Sequence, residues 1–258
     1  MKNIPEYKFK RTKENTLILK ASEIETIASD FLKEYSVFNS DYSLLSLKPT
    51  PIENIIENYC DIQTDYQTFT EPFTLGMTTF SSGNIKIIKD GKIVIYPVDK
   101  GTIIISNELA EDSKQKGRYN YTLAHELGHN IFHRILFEEP DYSNQPLLFD
   151  IKPVSIQAIT CHRDNIENLN TKNWTEWQAD YFASCLLMPK EAVAEFWKPY
   201  IKESEFIFGE NPKPLLHNMQ EEERYSKLEE FIKTFQVSKQ AAKIRLEKLN
   251  YIERRYSL

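Results

Sequence analysis

The run His125-Glu126-Leu127-Gly128-His129 constrains this chain more than any other stretch of it. Histidines at this spacing stand about 40° apart around an α-helix and one turn along it, so both imidazoles reach a single ion. The flanking sequence supplies the helix: Tyr119 to Phe137 contains no proline and places Leu123, Ala124, Leu127, Ile131 and Ile135 along one stripe. Glu126 falls about 100° from His125, where its carboxylate can reach a water on the ion without becoming a ligand.

One zinc ion suits such a pair. Zinc lowers the pKa of a bound water to about 7, and a carboxylate beside it can take the proton during attack on a carbonyl and return it to the leaving amine. The chemistry implied is hydrolysis of a peptide bond, with Glu126 as general base; a non-peptide amide would use the same chemistry. A catalytic zinc takes a third protein ligand and leaves its fourth position to water. His133, His162, Glu176 and His217 are the candidates. His133 lies about 80° from His125 and two turns on, so in an unbroken helix it points past the ion and reads as a packing residue or as a partner of a ligand.

Glu176 and Asp180 fall one turn apart on the same helix face, and Ala179, Phe182 and Ala183 around them read as a buried helix rather than a solvated acidic face. Glu176 is the favoured third ligand, and Asp180 the acceptor for the second ring nitrogen of a ligating histidine. The adjacent pair Cys161-His162 has no chelating spacing and reads as a loop or buried thiol. Tyr121, Arg118, His162 and His217 are all chemically able to stabilise an oxyanion, and Arg118 reads more simply as half of a structural ion pair. Gly128 either admits a close neighbour or is merely tolerated in a packed helix.

The rest of the chain limits the setting. Its 258 residues, 41% hydrophobic, suffice for a sizeable core. A net charge of -6 and a pI near 5.5 exclude a surface built broadly for nucleic acid, so any such contact is local. Met1 to Lys13 lacks the apolar segment of a secretory signal, no run approaches the roughly 18 apolar residues of a membrane span, and three scattered cysteines make no disulfide framework. A cytoplasmic protein is expected.

Element by element, Ser22 is expected to cap a helix carrying Ile24, Ile27, Ala28, Phe31 and Leu32, and Ile52 to Cys60 a second one. Ile85 to Tyr96 reads as a hairpin turning at Asp90-Gly91, and Thr102 to Ser106 as a third strand. Residues 138–171 read as a long irregular connection, Thr175 to Leu187 and Glu191 to Trp197 as helices. Past Pro214 the pattern is helical again, and from Ser238 it turns basic with the cadence of a helix-turn-helix, though helices that simply cap the domain are the favoured reading.

Arg118, Thr122 to His129, Glu176 to Ala183 and Leu186-Leu187-Met188-Pro189 together resemble the ImmA/IrrE family of metallopeptidases. The resemblance implies His125, His129 and Glu176 as zinc ligands and Glu126 as the catalytic residue. It implies an α+β fold, a mainly helical zincin-like core with a small twisted sheet over residues 1–200, followed by a helical C-terminal extension over 201–258. In such folds a strand ahead of the metal helix offers its edge to an extended peptide, here Thr102, Ile103, Ile104 and Ile105. The implied partner is a protein substrate, a helix-turn-helix repressor whose cleavage derepresses mobile-element or stress genes. The competing reading is a catalytically silent regulator that binds a repressor, DNA or a toxin-like partner, with the C-terminal helices as the route to nucleic acid.

Overall fold

The structure, a computed structural model, describes residues 3–4, 7, 9–13, 16–137, 157–162, 174–201, 216 and 219–253. His217 and most of the 138–171 connection lie outside these residues. The fold is α+β, with eight α-helices and one six-stranded sheet among the described residues.

Helix α1 (Ala21–Phe38) buries Ile24, Ala28, Phe31, Leu32 and Tyr35, a stripe at helical spacing. Ser22 lies inside its first turn and is not the cap. The start is set by Glu23, whose carboxylate accepts the Lys20 backbone N–H at 2.7 Å. Helix α2 (Ile52–Asn54) widens into a π-helical turn, Ile55–Tyr59, and buries Ile52, Ile55, Ile56 and Tyr59.

The sheet comprises β1 (Thr64–Phe69), β2 (Thr74–Thr79), β3 (Gly83–Lys89), β4 (Lys92–Val98), β5 (Ile103–Ser106) and β6 (Ala158–His162). Their order is β4-β3-β1-β5-β2-β6, with β1 and β5 parallel and the other neighbours antiparallel. The expected hairpin is β3–β4, turning at Asp90 and Gly91 with φ of 51° and 71°.

The strand at Thr102 to Ser106 is present, but it cannot receive a peptide at its edge. β5 lies between β1 and β2, so both of its ladders are already filled. Its composition explains the position. Ile103 and Ile105 join the main core, while Ile104 joins a smaller cluster with Ile85, Ile87 and Val98, so the strand is apolar on both faces as an interior strand must be. Among the described residues the outer strands of the sheet are β4 and β6.

Short α3 (Asn107–Glu111) leads to α4 (Lys116–Phe132), the central helix, which packs on β2 on one side and on α5 (Trp174–Leu187) on the other. α4 stops short of the expected Phe137, and a 3-10 turn, Arg134–Leu136, follows it. Gly128 marks the closest approach of the two helices: a Cβ there would stand 3.1 Å from Ala179 Cα.

Beyond α6 (Lys190–Trp197), helices α7 (Glu221–Phe235) and α8 (Lys239–Lys248) bury Leu228, Phe231, Phe235, Ala242 and Leu246 in the same core as α1, α4 and α5. Gln236 closes α7 in the left-handed region, and Ser238 Oγ caps α8 by accepting the Ala241 N–H at 3.1 Å. Arg245, part of the basic run, points inward. It is fully buried and donates at 2.7 Å to both carboxylate oxygens of Glu25 and at 2.9 Å to the Met188 carbonyl. Among the described residues no helix is long and apolar enough to cross a membrane.

Candidate metal centre

Helix α4 brings His125 and His129 together, and α5 lays Glu176 across them. His125 Nε2 and His129 Nε2 are 2.9 Å apart, and each lies 3.4 Å from a different oxygen of Glu176. Ligands held about 2.0–2.1 Å from a tetrahedral ion stand about 3.4 Å from one another, so each histidine already stands at a ligand's separation from one Glu176 oxygen, and the histidine pair opens slightly around an ion. All three side chains are buried, and Glu176 Oε2 has no hydrogen-bond partner. These residues can hold a metal ion.

Both histidines are oriented from behind. His125 Nδ1 donates to Asp180 Oδ1 at 2.9 Å, which leaves Nε2 for an ion. Tyr121 O–H donates to the Asp180 carbonyl at 3.0 Å and to its carboxylate at 3.3 Å, so it serves Asp180 rather than an oxyanion. Behind His129 runs a longer chain. His129 Nδ1 meets His133 Nδ1 at 2.8 Å, His133 Nε2 meets Gln178 Oε1 at 2.9 Å, and Gln178 Nε2 donates to the Leu17 carbonyl at 2.8 Å. The last bond fixes the rest. Gln178 must present its oxygen to His133, which is therefore protonated on Nε2 and accepts at Nδ1; His129 then donates from Nδ1 and offers Nε2 to the ion.

Glu126 stands apart from the three donors. Its Oε2 accepts the Thr78 O–H at 2.6 Å, and its fully buried Oε1 has no hydrogen-bond partner among the described residues. Gly76 on β2 makes the space, since a Cβ there would meet Glu126 Oε1 at 2.8 Å. Arg118 donates to Gln115 Oε1 at 2.6 Å, a local contact at the start of α4; among the described residues no ion pair of Arg118 is seen.

Burial pushes the Glu126 carboxyl up to about 7, against the opposing pull of His125 and the Thr78 hydroxyl. Burial acts on Glu176 in the same sense, but His125 and His129 outweigh it and hold that carboxyl well below its usual range. Burial, reinforced by His129, takes His133 down to about 3, so it is neutral, as the hydrogen-bond chain requires. On His125 burial opposes charge, yet Cys161, Asp180 and Glu176 together raise it.

No family model matches the chain, and no curated protein matches it.

Three contributors went unread in the sequence, Gln178, Thr78 and Gly76, and a fourth, Cys161, reads there as a loop or buried thiol. Cys161, on β6, comes to within 4.8 Å of both His125 and Glu126, measured between their ligand atoms. His162 ends the same strand, paired with Thr74. Only the position of Gln178 carried a signal, because it lies on the helix already singled out for Glu176 and Asp180.

Proposed function

We propose that this chain is a zinc-dependent endopeptidase acting on a specific protein substrate, as its resemblance to the ImmA/IrrE family implies. The observation that carries this reading is Glu126: a buried carboxyl beside three converging donors, held through one oxygen with the other free. A site with a purely structural ion has no use for such a group.

Zinc held by His125, His129 and Glu176 would supply Lewis acidity toward water and the scissile carbonyl. The remaining work falls to the chain. Thr78 fixes one oxygen of Glu126 and aims the other, which takes the proton of the attacking water and passes it to the leaving amine. Asp180 and His133 hold the two imidazoles by their Nδ1 protons, so that both Nε2 atoms face the same point. An extended peptide would align along the open edge of β6, the strand carrying Cys161, rather than along β5. The substrate class, a helix-turn-helix repressor in the cytoplasm, comes from the resemblance.

The test is co-expression with the repressor encoded beside the gene, using wild type and Glu126→Gln, with zinc content measured and the repressor followed by mass spectrometry. The expected result is zinc in both proteins and cleavage by wild type alone, the rate falling by about 10²–10⁴ in the variant. Cleavage that survives Glu126→Gln would remove the general base from the reading, and an intact repressor with zinc-loaded wild type would remove this substrate.

A further inference from the structure

We propose that Cys161 is a fourth protein ligand of the ion held by His125, His129 and Glu176, so that the resting centre is closed by a thiolate which water or a substrate carbonyl must displace. The inference rests on the reading that those three residues hold an ion, and extends it to the position that reading leaves open.

Three observations place the thiol there. A ring nitrogen of His125, a carboxylate oxygen of Glu126 and Cys161 Sγ all lie within 4.8 Å of one another. The strand register agrees independently. Cys161 on β6 pairs with Gly76 on β2, and residues directly opposite across two strands share a face of the sheet. That face meets the metal helix, because Gly76 lies against Glu126 Oε1 and Thr78, two residues on, bonds to Oε2. Finally, Glu126, which belongs to the same cluster as the thiol, keeps its Oε1 fully buried and without a partner among the described residues. A polar atom left bare in such a place marks a position that something else occupies.

Joining the ion requires the thiol to move inward. Zinc bonds sulfur at about 2.3 Å and nitrogen at about 2.0–2.1 Å, which sets tetrahedral ligands about 3.6 Å apart, so the thiol, already clustered with His125, must close on His129 and Glu176 as well. β6 can supply that movement, being an outer strand among the described residues, paired there to β2 and irregular in register between Thr74 and Gly76. On ligation the thiol gives its proton to solvent, and sulfur takes the place of a water. The other two cysteines are committed elsewhere: Cys60 is buried in the core, and Cys185 Sγ lies 3.2 Å from Glu25 and 3.3 Å from Arg245.

Cobalt(II) reports this directly, since thiolate ligation adds a near-ultraviolet sulfur-to-cobalt charge-transfer band to the visible bands of the ion. The full chain, stripped and reloaded with cobalt, is expected to show that band as wild type and to lose it in Cys161→Ser while keeping the visible bands. Cobalt bound by wild type without the band overturns the inference and leaves the three-ligand reading standing, as does a band that persists in Cys161→Ser. No cobalt uptake by wild type overturns the three-ligand reading itself. Should Cys161→Ser fail to fold, zinc X-ray absorption on wild type decides: a sulfur at about 2.3 Å supports the inference, and only nitrogen and oxygen neighbours overturn it.

Discussion

His133 and Gln178 do for His129 what Asp180 does for His125, and they do it with neutral groups. Replacing His133 by Leu leaves the buried His129 Nδ1 proton without its acceptor. Zinc affinity, followed by competition with a chromophoric chelator, is expected to fall about 10–100-fold, as for other partners of metal-bound histidines. Glu126 yields a pH signature in the metal-free protein. Burial raises its carboxyl from 4.5 to about 7, so between those values the folded chain keeps a proton that the unfolded chain has lost. Stability from this group is full below the lower value and falls as pH rises through the upper one, by about 3 kcal/mol at most. Urea midpoints of the metal-free protein across this range should decline in wild type relative to Glu126→Gln; parallel curves would contradict the assignment. At this scale the legible residues were those tied by helical spacing: His125, Glu126 and His129, then Glu176 with Asp180. Thr78 and Cys161 were not legible, because they reach Glu126 and His125 across the sheet and no sequence period links them.

Among the elements, helices were legible wherever an apolar stripe ran along them, as in α1, α4 and α5, and the β3–β4 hairpin was legible from Asp90-Gly91. β1 and β2 were not. β2 turns Thr74, Thr78 and Thr79 inward, and buried hydroxyls erase the alternation by which a strand is recognised. Thr79 shows what they do there, its hydroxyl donating to the Asp99 carbonyl at 2.7 Å and accepting the Thr102 N–H at 3.0 Å. The position of β5 was misread for a related reason, since a short apolar run does not reveal whether one or both of its edges are filled. The helix α8 is fastened to α1 by one buried ion pair, Arg245 with Glu25. Arg245→Met alone strands the Glu25 carboxylate and is expected to cost about 3–5 kcal/mol in urea unfolding, whereas Arg245→Met with Glu25→Leu should recover most of that loss. A double variant no better than the single one would contradict this account of the pair.

In the molecule as a whole, the C-terminal helices complete the core that carries the metal residues. Phe231 packs on Phe196 and Trp197, and Tyr251 on Trp197, so a chain ending at residue 200 would expose these rings. Such a truncation is expected to lose cooperative thermal unfolding; a sharp transition near that of the full chain would contradict a shared core. The basic lean of this region is not all surface charge, since Arg245 turns inward to Glu25 and the Met188 carbonyl. The central claim remains that one ion sits between α4 and α5. It is tested most directly by titrating zinc into the metal-free full chain by calorimetry, with His129→Ala and Glu126→Gln beside wild type. The account expects one tight equivalent for wild type and for Glu126→Gln, and its loss in His129→Ala. Equal binding by all three proteins, or none by wild type, would contradict it.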